Sequence, residues 1–176
     1  MWVARVEDGF LFGDLTQSAI ETLRGVPMLI ESKDERVRAR LLPETYADHD
    51  SEDQWREHAI PELERLFVSR TVILRKDLDA MRQWKPSNSW VLKIPDTHAN
   101  AWLATLNAAR LALYVLNDMT AEHLERGGHR KCTEKQREAA ARIQFLAEIQ
   151  SVLLGEVDFE GDDEGDDPSS QEKLAD

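Results

Sequence analysis

The fold is decided by the stretch Trp102-Leu-Ala-Thr-Leu-Asn107-Ala-Ala-Arg110-Leu-Ala-Leu-Tyr-Val-Leu116, which is apolar on nearly every side when wound into a helix. A helix without a polar face is expected in the middle of a bundle, where other helices cover it. At about 100° per residue, Asn107 and Arg110 share one side of this helix. The helical wheel places Leu103 and Tyr114 on that same side, and Trp102, Leu106, Ala109 and Leu113 on another.

The two polar side chains of this helix predict a buried polar node. A guanidinium taken out of water needs a carboxylate or several acceptors, because burying an unpaired charge is costly. Glu148, Gln150 and Asp14 are candidate partners of Arg110, and the sequence does not choose among them. The favoured interpretation is an internal hydrogen-bond network that defines the fold, and the alternative is a site for an anionic ligand.

The formal net charge of −12 is concentrated at the carboxyl end of the chain. Residues 156–176 contain 10 of the 34 acidic residues and one of the 22 basic residues, so residues 1–155 are nearly balanced. A balanced body lacks the electrostatic footprint of a phosphate-backbone binder, and nucleic acid is not the expected partner. Residues 156–176 have too few apolar side chains to offset their ordering entropy, and we expect them to form a disordered acidic tail.

Motifs that carry chemistry are sparse. Cys132 is the single cysteine, which rules out an intramolecular disulfide or a CxxC pair. His123, His129 and Cys132 match no strong zinc spacing, and we interpret residues 126–132 as an exposed basic loop. No P-loop, GxGxxG or GxSxG motif occurs in the sequence. We therefore expect no metal and no cofactor, and the sequence does not favour an enzyme.

The amino-terminal third predicts a hairpin followed by a helix. Residues 2–12 alternate apolar and polar side chains around an Asp-Gly pair, a pattern typical of two short antiparallel strands. Thr16 is a suitable N-cap for a helix that continues to about residue 31. A break near Val26 is expected in this helix, because Gly25 and Pro27 weaken its middle.

The middle of the chain predicts a long amphipathic helix and a third strand. Ser51 is expected to begin the helix, which reaches about Trp84 and is kinked or restarted at Pro61. Residues 89–94 are rich in β-branched and aromatic side chains and are expected to complete a small sheet with the hairpin.

The remaining elements are two further long helices. The central helix is expected to begin with a cap at Asp96 or Thr97, and the last helix with a cap at Thr133 and an end at Gly155. Together the elements predict a mainly α fold, a helical bundle around a central buried helix with a small N-terminal antiparallel β-sheet. One domain over residues 1–155 is expected. No segment resembles a signal peptide or a membrane span, so we expect a cytoplasmic protein without membrane contact.

Several segments of the chain match a known pattern in order and spacing. They are Arg40-Leu-Leu-Pro43-Glu-Thr-Tyr46, Trp55-Arg56 with Leu63, Trp102-Leu-x-x-Leu-Asn107-x-x-Arg110-Leu-Ala-Leu113 and Phe145-Leu-x-x-Ile-Gln150-x-x-Leu153. Over roughly residues 2–155 the chain resembles DUF2017, a bacterial family of unknown function. The resemblance implies a cytoplasmic protein that is often encoded beside the adaptor of the Clp protease and has no established enzyme activity. It marks as candidate binding residues Tyr46, Trp102, Asn107, Arg110 and Gln150.

Three hypotheses for the function follow. The leading one is a non-enzymatic regulatory or adaptor protein that binds an unidentified protein partner, in stress response, proteolysis or transcription control. The second is a helical domain that binds an anion or acts as an enzyme through Asn107, Arg110 and Gln150. The third is a nucleic-acid-binding regulator that uses the loop at 126–131. A homodimer is compatible with the sequence.

Overall fold

The structure is a computed structural model that describes residues 1–84, 89–125 and 131–156. The strands are β1 (Trp2–Val6), β2 (Gly9–Leu15), β3 (Arg82–Trp84) and β4 (Ser89–Pro95). The helices are α1 (Gln17–Ile30), α2 (Glu35–Leu41), α3 (His49–Gln54), α4 (Ile60–Asp79), α5 (Ala99–Leu116), α6 (Ala121–Leu124) and α7 (Glu134–Leu153). A π-helical turn (Trp55–Ala59) joins α3 to α4, and a 3₁₀ turn (Asp96–His98) precedes α5. The predicted mainly α fold with a small antiparallel sheet is confirmed.

The sheet has the strand order β1-β2-β4-β3, and each neighbouring pair is antiparallel. The predicted hairpin forms β1 and β2, and the predicted third strand is β4. Gly9 begins β2 with a φ of +155°, and a Cβ there would lie 2.3 Å from the carbonyl oxygen of Ile94, so this position requires glycine. Phe10 faces Ile94 and Phe12 faces Leu92 across the β2–β4 pair, and all four side chains are buried against the helices.

Helix α5 lies at the centre of the molecule, as its sequence predicts. Only Asn100 and Asn107 are exposed along its length, and α5 contacts α1, α2, α4 and α7. Its buried large side chains share one core cluster with residues of the sheet and of three other helices, among them Phe12, Leu23, Leu74, Leu92, Trp102, Leu106, Leu113, Leu146 and Ile149. The sequence therefore places the most apolar helix where the largest number of neighbours can cover it.

Helix α1 is continuous, so the expected break near Val26 is wrong. Thr16 caps the helix as predicted, and its Oγ1 accepts the N–H of Ala19 at 3.2 Å. Pro27 lies inside the helix, where it lacks the N–H that would bond to the carbonyl of Leu23. Leu23 and Val26 are fully buried in the core, and this burial offsets the missing hydrogen bond.

The predicted start of the long helix at Ser51 is also wrong. Asp48 is the cap, because its Oδ1 accepts the N–H of Ser51 at 2.9 Å and the helix begins one residue after Asp48. Pro61 restarts the helix rather than kinking it. The N–H of Ile60 donates to the carbonyl of Trp55, five residues earlier, and this wider π-helical turn precedes the proline ring.

The long helix ends at Asp79, so the predicted end near Trp84 is wrong. Residues 82–84 form the edge strand β3, in which Trp84 faces Ser89 of β4. The apolar residue Met81 that extended the helical pattern packs into the core from the turn between α4 and β3. Periodicity does not distinguish a core residue in a turn from one more helical position.

The caps of the two carboxyl-terminal helices follow the predictions only in part. Neither Asp96 nor Thr97 caps α5, because both lie in the 3₁₀ turn and His98 stands at the cap position. The carboxylate of Asp96 instead accepts two hydrogen bonds of 2.6 and 2.8 Å from Arg5. Thr133 caps α7 together with Gln136 in a capping box, and Gly155 follows the helix with a φ of +73°, both as predicted. The predicted acidic tail lies outside the described residues apart from Glu156.

Candidate functional site

Arg110 joins α5 to α7 through Gln150. Its Nη1 donates to Gln150 Oε1 at 2.6 Å, and Gln150 Nε2 donates to the carbonyl oxygen of Leu103 at 3.0 Å. Gln150 is therefore the partner among the three candidates that the sequence offered. The Nε of Arg110 is buried without a hydrogen-bond partner among the described residues, so the guanidinium is only partly satisfied.

Asn107 is exposed and does not belong to a buried node, which corrects the prediction. It lies about 60° around α5 from Arg110, at the edge of the side that carries Leu103 and Arg110. That angle is enough to carry its side chain beyond the cover of α7. The wheel identified the correct side of the helix but not the boundary of the buried area.

Replacing Arg110 with methionine should lower the free energy of unfolding by about 1 kcal/mol. The variant loses a charge-assisted hydrogen bond worth roughly 1.5–3 kcal/mol, and the removal of the unpaired Nε–H offsets part of that loss. Asn107→Ala is the matched control on the same side of α5 and should change stability by less than about 0.5 kcal/mol. Urea titration measures both, and an Arg110→Met variant as stable as the wild type would contradict a structural role.

The sequence analysis missed a second polar cluster. Asp77 of α4 is buried, and its Oδ2 accepts the indole N–H of Trp102 at 2.8 Å. Nδ1 of His98, in the 3₁₀ turn, lies 2.9 Å from the same oxygen and 3.0 Å from Oδ1. The signal in the sequence was an aspartate between Leu74 and Leu78, on the side of α4 that otherwise carries core residues. The indole N–H of Trp102 therefore binds α4, and this hydrogen bond is separate from the one between Arg110 and Gln150.

Tyr46 belongs to a third, separate cluster beside the π-helical turn. Its ring meets Trp55 edge-on with the centroids 6.2 Å apart. The buried carboxylate of Glu52 accepts the backbone N–H groups of Thr45 and Tyr46 at 2.9 and 3.0 Å, and the Nε–H of Arg56 at 3.2 Å. Glu52 thus holds the loop between α2 and α3 against the start of the long helix. The five predicted binding residues do not form one site.

The backbone N–H of Tyr46, and then that of Thr45, lower the pKa of the Glu52 carboxyl from its usual value of 4.5. A lowered folded-state pKa means that ionised Glu52 stabilises the folded protein above pH 4.5, and this contribution is lost as the pH falls through the lowered pKa. We expect Glu52→Gln to be less stable at neutral pH and to show a shallower loss of stability under acid.

Urea titrations between pH 7 and pH 3 measure this difference. Glu57→Gln, which alters an exposed carboxyl in the π-helical turn, is the matched control and should follow the wild-type profile. Equal pH profiles for Glu52→Gln and the wild type would show that Glu52 does not anchor the loop.

A surface groove with an apolar floor lies between α2 and α4, next to the end of α1. Its volume is about 560 Å³, and its apolar lining consists of Ile30, Val37, Leu41, Leu42, Phe67 and Val68. Charged side chains of both signs surround it, namely Glu31, Lys33, Glu35, Arg38 and Glu64. Arg38 Nη1 bridges to Glu64 Oε1 at 2.5 Å and thereby connects α2 with α4. The groove is continuous with a second cavity beside the Glu52 loop, because Glu35, Arg38 and Leu42 line both.

The histidines and the cysteine of the sequence do not assemble into a site in the described part of the chain. His123 Nδ1 accepts the N–H of Thr120 at 3.2 Å in a capping box, and Cys132 is buried rather than exposed as predicted. His129 and the other residues of the predicted basic loop at 126–132 lie outside the described part of the chain, apart from Lys131 and Cys132. Among the residues that are described, no group of three or more histidine, cysteine, aspartate or glutamate side chains could hold a metal ion. No helix in those ranges has the length and apolar character that a membrane span needs.

The fold and these contacts define a mainly α protein that is organised around one buried helix and presents an apolar groove beside it. The chain belongs to the DUF2017 family, whose profile, described as a domain of unknown function, matches residues 11–157. The family indicated by the sequence motifs is thereby confirmed. No curated protein and no solved structure matches the chain.

Proposed function

We propose that this protein is a cytoplasmic regulatory or adaptor protein, and that the groove between α2 and α4 receives an amphipathic helix of a protein partner. The observation that carries the proposal is an apolar floor that remains open to water in a chain with a large buried core. Val68, for example, is 55% exposed. A partner that covers such a side chain removes apolar surface from water, which favours binding, and breaks no existing contact within the protein.

The packing of α4 explains why the groove is open. All the buried residues of α4 lie in its carboxyl-terminal half, and the first of them is Thr71. The half before Thr71 lies across the groove from α2, and Phe67 and Val68 line the groove without being buried. A stretch of helix with apolar side chains that no other element covers is suited to bind a protein partner.

The shape and charge of the groove favour a helical occupant. Grooves between two helices with an apolar floor bind amphipathic helices through side chains spaced by three and four residues. The rim carries two basic side chains, Lys33 and Arg38, and three acidic ones, namely Glu31, Glu35 and Glu64. A helix with both acidic and basic flanking residues would match it. An extended anionic ligand would meet three acidic and two basic side chains.

We assign a structural role to four of the five residues that the sequence marked for binding, all except the exposed Asn107. Arg110 and Gln150 bind each other, Trp102 binds Asp77, and Tyr46 packs on Trp55. These contacts support the view that the residues define the fold and the loop beside the groove. An anion at Arg110 would have to bind through the N–H groups that Gln150 leaves unused.

The proposal is tested by comparing partners recovered with groove variants. The full chain, carrying an affinity tag, is isolated from its native cell as wild type, Val68→Glu, Leu41→Gln and Met28→Glu. Met28 is an exposed apolar residue on α1 outside the groove and is the matched control. We expect at least one protein to co-purify with the wild type and with Met28→Glu, and to decrease at least fivefold with both groove variants.

The recovered protein is then purified and its direct affinity for the same four chains is measured. The same order of affinities is expected, with each variant first shown to unfold at a temperature close to that of the wild type. Equal binding by wild type and groove variants, or recovery of no protein that binds directly, would contradict the proposal.

A further inference from the structure

A hollow between α1 and α7 shares no lining residue with the groove between α2 and α4. Its volume is about 590 Å³, within the range of roughly 300–1,000 Å³ that is usual for small-molecule sites. Thr16, Ser18 and Thr22 line it from the first turns of α1, and Arg142 lines it from α7. The hydroxyl of Thr16 already accepts a hydrogen bond as the cap of α1, so the other three side chains are the ones available to a ligand.

Thr22 has a hydroxyl group without a hydrogen-bond partner in the described part of the chain, although only 6% of the residue is exposed. The other two buried threonines of the described helices, Thr71 and Thr105, donate to the carbonyl oxygen four residues earlier at 2.7 and 2.6 Å. Buried polar groups are paired as a rule. The Thr22 oxygen is not among the sealed unpaired atoms of the described residues, so it is open to the hollow that the residue lines.

The guanidinium of Arg142 is also without a hydrogen bond or ion pair to any described residue, and its side chain is partly buried. Glu138 lies one turn earlier on α7, at a spacing that favours an ion pair, but Arg142 extends to α1 instead. A Cβ on Gly25 would lie 3.2 Å from Nη2 of Arg142, so a side chain at this position would crowd the guanidinium. Because Gly25 follows Thr22 by one turn of α1, the guanidinium lies close to the unpaired hydroxyl.

These unpaired groups match a carboxylate. A carboxylate accepts two parallel hydrogen bonds from a guanidinium and further ones from hydroxyl groups. Ser18 precedes Thr22 by one turn and lines the same hollow, and its exposed hydroxyl has no partner among the described residues either. The guanidinium and the two hydroxyls therefore offer a carboxylate enough donors to replace its water.

The remaining charged side chains of the hollow are acidic. Glu21 and Glu138 line it with exposed carboxylates, and Glu21 accepts a hydrogen bond from Gln17 Nε2 at 2.9 Å. With Arg142 as the single positive side chain of the lining, a simple anion would meet more negative than positive charge. A ligand that carries an ammonium group beside its carboxylate is complementary to both signs.

The rest of the lining is apolar. Phe145 and Ala19 are partly buried and pack against the main core, and Ala141 completes this part of the hollow. An apolar group placed against them is removed from water, which favours binding. The hollow thus combines hydrogen-bond donors for a carboxylate, acceptors for an ammonium group and an apolar surface.

We propose that the hollow between α1 and α7 binds a free α-amino acid with an apolar side chain. Its carboxylate is bound by Arg142 and by the two unpaired hydroxyls of α1, its ammonium group by Glu21 and Glu138, and its side chain lies on Phe145. The site is independent of the proposed partner groove, since the two have no lining residue in common.

Isothermal titration calorimetry of the full chain with each of the common free amino acids tests the site. We expect at least one apolar amino acid to bind with a dissociation constant of about 1 mM or lower. The N-acetyl derivative of that amino acid lacks the ammonium group, and its amide lacks the carboxylate. Each should bind at least about tenfold more weakly, because each leaves charged side chains of the site without their partner.

Variants then locate the binding. Arg142→Gln should weaken it at least about tenfold, and Thr22→Val, which removes the hydroxyl and keeps the shape, at least about threefold. Arg24→Gln, at an exposed arginine of α1 outside the hollow, and Thr105→Val, at a buried threonine of α5, are the matched controls and should bind like the wild type. Each variant is first shown to unfold at a temperature close to that of the wild type.

Three results would overturn the proposal. They are no binding of any free amino acid at millimolar concentration, acetate or inorganic phosphate binding as tightly as the amino acid, and equal affinities of the wild type and Arg142→Gln. The second result would assign the hollow to a simple anion, and the third would place the amino acid elsewhere on the protein. None of these results depends on whether the groove binds a partner.

Discussion

Replacement of Asp77 with alanine is expected to lower the free energy of unfolding by about 3 kcal/mol. The substitution leaves the indole N–H of Trp102 fully buried without its acceptor at 2.8 Å, and it also removes the contact of α4 with His98. An unmade hydrogen bond in the core costs the desolvation of the donor, whereas a surface hydrogen bond is replaced by water. Urea titration monitored by circular dichroism gives the measurement.

A double-mutant cycle separates this hydrogen bond from the other effects of the substitution. Trp102→Phe removes the N–H and keeps an aromatic ring, so Asp77→Ala should cost at least about 1 kcal/mol less in that background. His98→Ala is the control for the second contact, and it should have a smaller effect because the histidine side chain is partly exposed. Additive effects of Asp77→Ala and Trp102→Phe would show that the hydrogen bond does not stabilise the fold.

Replacement of Leu106 with alanine should cost about 3 kcal/mol or more, the other large effect that the structure predicts. Leu106 is fully buried in α5, a helix that contacts four other helices, and the close-packed neighbours cannot close a cavity without moving one another. Leu124→Ala is the matched control, because its side chain is 46% exposed on α6, and it should change stability by less than about 0.5 kcal/mol. Thermal and urea unfolding of the two variants provide the comparison, and similar losses would contradict the central position of α5.

The elements with strong local signals could be predicted from the sequence. Thr133 with Gln136, and Gly155 after the last turn, are side chains that act on their own helix, so their roles depend on few other parts of the chain. The apolar circumference of α5 likewise requires burial on every side, whatever elements cover it. These features led to the correct fold class, the hairpin and the central helix.

The errors arise where a distant residue competes with a local pattern. Asp96 is a good cap by its position, but Arg5, far away in the sequence, binds its carboxylate. Pro27 would interrupt an isolated helix, but the buried side chains on either side of it hold α1 together. Such tertiary contacts override propensities of about 1–3 kcal/mol and cannot be read from spacing.

The candidate site shows the same division. The sequence offered three candidate partners for Arg110, and the partner in the structure, Gln150, is one of them. The sequence could not choose among them because the choice depends on which helix packs against α5, and that helix is α7. The groove between α2 and α4 could not be predicted, because helical periodicity gives the same apolar pattern for a side that packs in the core and for one that remains open. Phe67 and Leu74 lie on the same side of α4, but Leu74 is buried in the core and Phe67 lines the groove.

Site-specific photocrosslinking in the native cell tests most directly the claim that the groove, and not the polar side of α5, is the binding surface. A photoreactive amino acid is placed at Val68 in the groove, at Asn107 beside Arg110, or at the control position Met28, all of which are exposed. We predict that position 68 yields a crosslinked protein other than a second copy of this chain, and that positions 107 and 28 do not. A crosslinked partner at position 107 with none at position 68 would contradict the account and place binding at the Arg110 side of α5.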